Sequence, residues 1–247
     1  MHLKPNLDTA LMLILSPLLL FQILLLGPKI IRLPEPKGPR CGTTGDGPAL
    51  RLLVLGDSSA AGVGVDRQDQ ALAQQISENM GKSRQVTWNL CAKNGATSRD
   101  AKQLLTSVQG QKFDLAYVIF GVNDVKNLHS ERAWRNDMTD LILRLRAQHG
   151  LDLIVLSGLP PMEDFPLLPR PLRTLLGMRA ARFDRALREV ASRENCEVIA
   201  VDSSLEIQDM AKDGFHPGPA IYKHWAQSAA GRFEDLIKAA RPTSSTQ

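Results

Sequence analysis

Four short polar stretches carry the residue types that chemistry at a carbonyl group requires. They are Gly56-Asp57-Ser58-Ser59, Asn94-Gly95-Ala96-Thr97, Gly121-Val122-Asn123-Asp124 and Asp213-Gly214-Phe215-His216-Pro217. A serine hydroxyl is a poor nucleophile at neutral pH and needs an adjacent base, itself oriented by a third group. Asp213 stands three residues before His216, so one loop can deliver both a base and the acid that orients it. The oxyanion that develops during acyl transfer also needs hydrogen-bond donors, each typically worth about 10²–10³ in rate. Asn123 offers an uncharged amide and Gly95 a backbone N–H with no side chain in front of it. Taken singly, each stretch has a plainer reading. Gly-x-Asn-Asp makes a turn, Asp-x-x-His caps a helix beside an exposed imidazole, and Asp57 and Asp124 serve as turn or cap residues as readily as they tune a site.

The elements that would position these stretches are legible in the hydrophobic pattern. Short apolar runs rich in β-branched residues occur at Arg51–Leu55, Val86–Leu90, Leu115–Phe120, Leu153–Leu156 and Val198–Val201. Each is followed by residues with helical spacing, most clearly Leu176, Ala180, Phe183, Leu187 and Val190. Continuous rather than alternating apolar runs, separated by helices, predict a parallel sheet covered on both faces. The expected fold class is therefore α/β, a flavodoxin-like three-layer α/β/α sandwich on about five parallel strands. Ligands of such sheets bind beyond the carboxyl ends of the strands, and all four polar stretches follow predicted strands.

In this order and placement the four stretches resemble blocks I, II, III and V of the SGNH hydrolases, also called GDSL esterases and lipases. The resemblance covers roughly residues 50–240, and the bacterial arylesterase, thioesterase and lysophospholipase proteins are the subgroup it resembles most. It implies that Ser58 is the nucleophile, His216 the base and Asp213 its orienting acid. It further implies an oxyanion hole made by the Ser58 and Gly95 backbone N–H groups with Asn123. Ser59 stands where the family often has Leu, and after His216 only Pro217 and Tyr222 keep the familiar continuation. The competing Gly-x-Ser-x-Gly elbow of α/β-hydrolases is not met, because Ala60 holds the place of the second glycine and Ser58 follows the first predicted strand.

The expected activity is cleavage of carboxylic esters of acyl, lipid or aryl substrates through an acyl-enzyme. A catalytically silent module that binds lipid or glycan in the same pocket is the alternative. No metal and no cofactor is expected, since each catalytic role already has a protein group. Cys41, Cys91 and Cys196 are too few and too scattered for a disulfide framework or a zinc site. A net charge of +4 on 247 residues makes no claim for nucleic acid. Arg179, Arg182, Arg185 and Arg188 are read as a solvated helix face interrupted by Asp184 and Glu189. The proline-rich stretch from Gly158 to Pro169 is apolar enough to wall an acyl pocket, or to pack as a loop on the sheet edge or on the N-terminal segment.

Residues 1–31 read as a hydrophobic membrane anchor built on Ala10–Leu26, a 17-residue apolar stretch at the lower edge of the ~17–25 needed to span a bilayer. The expected setting is a bacterial inner membrane with the side left open, a cleaved export signal or a segment buried within the protein being the alternatives. Residues 32–49 are rich in Pro and Gly and read as a linker, 50–240 as the hydrolase domain and 241–247 as an unstructured tail. On this reading, removing residues 1–47 costs no core.

Overall fold

The computed structural model describes residues 7–201 and 207–240, so the expected tail at 241–247 lies outside the described residues. In chain order the elements are α1 (Leu7–Ile14), α2 (Ser16–Leu26), β1 (Cys41–Thr44), β2 (Ala49–Gly56), α3 (Ser58–Ala61), α4 (Leu72–Met80), β3 (Gln85–Ala92) and α5 (Ala101–Leu104). They continue with β4 (Leu115–Ile119), α6 (Val122–Lys126), α7 (Glu131–His149), β5 (Leu153–Ser157), α8 (Leu172–Arg193), β6 (Glu197–Ile199) and α9 (Pro219–Ala240).

The strands form a sheet in the order β1-β3-β2-β4-β5-β6, parallel throughout except for β1, which runs antiparallel to β3. Without β1, the order is the doubly wound 2-1-3-4-5 arrangement, in which the direction of winding reverses between β2 and β4 and opens a crevice there. Both faces are buried. Leu53 and Leu55 of β2 pack with Trp134, Met138 and Phe183 of α7 and α8 on one face. Leu52 and Val54 pack with Leu72, Ile76 and Phe233 of α4 and α9 on the other. This is why the strands read as unbroken apolar runs: consecutive residues point to opposite faces, and each face meets a helix layer. Leu176, Ala180, Phe183, Leu187 and Val190 are all buried along α8, as their spacing predicts.

The α/β sandwich is as expected, with a sixth strand that the apolar pattern does not show. Cys41–Thr44 is short, half exposed and bounded by Pro39, Gly45 and Pro48, so it has neither an apolar run nor a period to reveal it. It nevertheless pairs Cys41 with Asn89 and Thr44 with Val86. The stretch expected to be a free linker thus covers the edge of the sheet, and it is tied down further by Glu35. That carboxylate accepts from the Asn94 backbone N–H at 2.6 Å and from Arg40 Nη1 at 2.7 Å. Removing residues 1–47 would strip this edge strand, a cost apart from the core that the expectation considered.

The N-terminal segment folds as two helices. Among the described residues no single helix is long and apolar enough to cross a membrane; α1 and α2 meet that length and composition only together, and they are bent by 78° about Leu15. Pro17 in the first turn of α2 explains the break, since its ring lacks an N–H and clashes with a continuing helix, whereas the first turn of a new helix tolerates it. The pair is docked on the domain through specific polar bonds. The buried Asp8 accepts from Arg182 Nη2 at 2.7 Å and lies 4.0 Å from Arg179 Nη1. Gln22 donates to the Arg170 carbonyl at 2.5 Å and accepts from the Leu172 N–H at 3.3 Å. The arginine stripe of α8 is therefore only partly a solvated face. Arg179 is buried and donates to the Val125 and His129 carbonyls, and Arg182 bridges Asp8 and Glu131. Arg185 and Arg188 are exposed, with Arg188 paired to Asp184.

Candidate active site

Strand β2 ends at Gly56, where the β4 backbone passes so close that an added Cβ would meet the Ile119 carbonyl oxygen at 2.3 Å. Only glycine fits there, and it lets the chain turn at once into α3. Asp57 caps that short helix, its Oδ1 accepting the Ser59 N–H at 2.9 Å, and Ser58 follows with little exposure. The cap reading of Asp57 holds in the structure. Burial pushes its carboxyl up to about 7, against the opposing pull of the Ser59 N–H and of nearby His216.

The loop before α9 brings in the other reactive groups. His216 Nε2 lies 3.0 Å from Ser58 Oγ, and its Nδ1 lies 2.6 Å from Asp213 Oδ2. Asp213 Oδ1 accepts the backbone N–H groups of Phe215 and His216, each at 3.0 Å. Burial alone would raise the Asp213 carboxyl, but the hydrogen bonds from the His216 ring and from these two amides outweigh it and hold the group below the usual carboxylate range. An ionised Asp213 fixes Nδ1 as the protonated nitrogen, which leaves Nε2 free to accept the serine proton.

The stretches after β3 and β4 are joined to each other and line the same groove as Ser58. Asn123, also buried, donates one amide hydrogen to the Ala96 carbonyl at 2.9 Å, which orients the side chain and leaves its second hydrogen to be offered elsewhere. Gly95 sits at φ +80, a left-handed conformation, while nothing lies within 4 Å of where its Cβ would stand. The reason for glycine here is its backbone conformation rather than close approach.

Several positioning residues carried weak or no signal in the sequence. Thr97 and Asp100 form a capping box that holds the Gly95 loop, a Thr-x-x-Asp spacing that a search for helix starts would find. Asp124 is a buried acceptor rather than a turn residue, taking the Ser98 hydroxyl at 2.7 Å and facing His129 Nδ1 at 2.9 Å. Tyr222 of α9 donates to the Val63 carbonyl at 2.8 Å and so pins the chain beyond α3. His149 packs under β4 against Phe113 and faces the Gln111 carbonyl, away from the site; His2 lies outside the described residues. Among the described residues no cluster of His, Cys, Asp and Glu is arranged to hold a metal ion.

Two cavities meet at Ser58, Phe215 and His216. One, of about 110 Å³, is lined by Phe120, Pro160, Phe165, Met210, Pro217 and Trp225. The other, an open apolar groove of about 690 Å³, runs between α2 and α8 and also holds Asn94, Asn123 and Lys126. The Gly158–Pro169 stretch contributes to both, and through Arg170 it also meets the N-terminal segment.

Residues 54–224 match the GDSL-like Lipase/Acylhydrolase family. No curated protein matches the chain in sequence. Solved structures share the fold. A carbohydrate acetylesterase from Sinorhizobium meliloti superposes with a TM-score of 0.61 at 15% identity, over 76% of this chain and 99% of its own. An aryl esterase from M. smegmatis gives 0.61 at 18% identity over 76% and 99%. A lipase/acylhydrolase from Enterococcus faecalis gives 0.58 at 16% identity over 76% and 96%. The family match spans the Ser58 turn, the Gly95 and Asn123 loops and the Asp213–His216 loop alike, and the chain belongs to the GDSL-like lipase/acylhydrolase family as a carboxylic ester hydrolase.

Proposed function

We propose that the protein hydrolyses acyl, lipid or aryl esters through an acyl-enzyme, with Ser58 as nucleophile, His216 as base and Asp213 as its orienting acid. The observation that carries this reading is the unbroken hydrogen-bonded chain from Ser58 Oγ through the His216 ring to Asp213, placed where two cavities meet. In the first step His216 Nε2 takes the hydroxyl proton as Ser58 Oγ attacks the ester carbon. Asp213 stabilises the resulting imidazolium without taking its proton. The Ser58 and Gly95 N–H groups and the free amide hydrogen of Asn123 receive the oxyanion. His216 then protonates the leaving alcohol, and water, activated by the same nitrogen, releases the acid. No step calls on a metal or cofactor.

The N-terminal helix pair adds a membrane surface to this reading. Leu13, Ile14, Phe21, Leu24 and Leu25 are all more than half exposed on it. Such an apolar face, held on a folded domain and bent by 78°, suits a helix pair lying in the headgroup region rather than a free tether. A fluorophosphonate probe tests the chemistry. It is expected to label the protein at Ser58 and to leave Ser58→Ala, which stays folded, unlabelled and inactive on p-nitrophenyl acetate. Folded wild-type protein that neither labels nor turns over would replace the enzyme reading with that of a silent binding module.

A further inference from the structure

We infer that the N-terminal helix pair is itself one wall of the substrate site, and that the groove it closes takes the long unbranched acyl chain of the ester. This rests on Ser58 being the nucleophile. Leu19, Leu20, Ile23 and Leu26 of α2 line one side of the groove, Leu172 and Leu176 of α8 line the other, and the groove ends at Ser58 and His216. A carbonyl placed at Ser58 has two substituents to accommodate, and two cavities of very unequal size open from that point. Both cavities reach His216, so the leaving alcohol can receive its proton from within the smaller one, about 110 Å³ and framed by Met210, Pro217 and Ile221. The larger holds Asn94 and Asn123 beside the oxyanion loop and is walled by aliphatic side chains, which suits a flexible hydrocarbon chain.

The wall stands at a set distance because it is bonded at two points. Asp8 on Arg182 holds α1, and Gln22 holds the middle of α2 to the start of α8 through both its amide oxygen and its amide nitrogen. An anchor that only tethered the domain would have no use for a buried aspartate paired to a catalytic-domain arginine. The outward side chains of the same helices, Leu24 among them, lie outside the groove lining and are the ones available to a lipid surface.

The test uses the full chain. With p-nitrophenyl esters from acetyl to decanoyl below their micelle concentrations, kcat/KM is expected to rise about fourfold for each methylene the groove buries. Ile23→Asp places a carboxylate in a half-exposed position of the wall and is expected to lower the decanoyl-to-acetyl ratio by about tenfold or more. Leu24→Asp, on the outer face, leaves the ratio and the acetyl rate unchanged. Binding of cis-parinaric acid to Ser58→Ala supplies a readout independent of turnover, and Ile23→Asp in that background is expected to weaken it by a similar factor. A wild-type profile flat with acyl length, a profile that rises only with alcohol length, or ratios and binding equal in the Ile23 and Leu24 variants would overturn the assignment. Tight, Ile23-dependent binding without hydrolysis would keep the groove and remove the enzymatic reading instead.

Discussion

Replacing Asp213 with Asn probes the site more sharply than removing the nucleophile, because the structure dictates which way the new amide must face. Both backbone N–H groups that reach Asp213, those of Phe215 and His216, bond to the same oxygen, Oδ1. In Asp213→Asn that position has to remain the carbonyl oxygen, so the amide nitrogen takes the place of Oδ2, 2.6 Å from His216 Nδ1. An N–H₂ group there is a donor, and Nδ1 must then accept. The proton moves to Nε2, which faces Ser58 Oγ at 3.0 Å and can no longer take the hydroxyl proton. A tautomer error of this kind costs about 10⁴ in kcat, or about 5 kcal/mol of barrier. Stability should change little, since the backbone donors keep their acceptor. The assay is kcat/KM for p-nitrophenyl acetate together with thermal melting and the rate of fluorophosphonate labelling. Activity within tenfold of wild type, with the melting temperature unchanged, would refute the role assigned to the Asp213–His216 bond.

Asn123→Ala should lower kcat by about 10²–10³ through loss of one oxyanion donor, with KM little changed; an unchanged kcat would remove Asn123 from the hole. Asp57→Asn keeps the cap on α3 but removes a carboxyl whose folded value, about 7, stands above the 3.8 of the ordinary group. A raised carboxyl binds more protons when folded, so its contribution favours the folded state at low pH and is lost as pH rises towards 7. Between pH 5 and pH 7 the stability of wild type should therefore fall relative to Asp57→Asn by about 2 kcal/mol in urea denaturation, and parallel curves would contradict the burial argument. Deleting residues 1–47 strips β1 from β3 and removes the Glu35 acceptor of the Asn94 N–H. The truncated chain should melt about 5–10 °C lower and aggregate through its bare edge, whereas a monomeric product of unchanged melting temperature would show that β1 adds nothing.

The features that the sequence determined by itself are those written in local pattern. Unbroken apolar runs imply strands buried on both faces, the spacing from Leu176 to Val190 implies a helix on that sheet, and the placement of Ser58, Gly95, Asn123 and His216 after strands implies one reactive edge. Each of these follows from the period of side-chain direction along a strand or helix, which any chain must obey. What tertiary structure alone decided involves residues far apart in the chain. Asp8 and Arg182 are 174 positions apart, and nothing near either one announces the bond. Pro17 breaks the apolar stretch locally, but it is the contact with Arg182 that lays the resulting helix pair against α8. Cys41–Thr44 became a strand only because β3 offered an unpaired edge, not through any pattern of its own. Asp57 owes its raised carboxyl to burial at the turn into α3, against the pull of His216, which the fold brings from 159 positions away. Local periodicity reports which way a side chain points. Which distant group it meets there is settled only when the layers close.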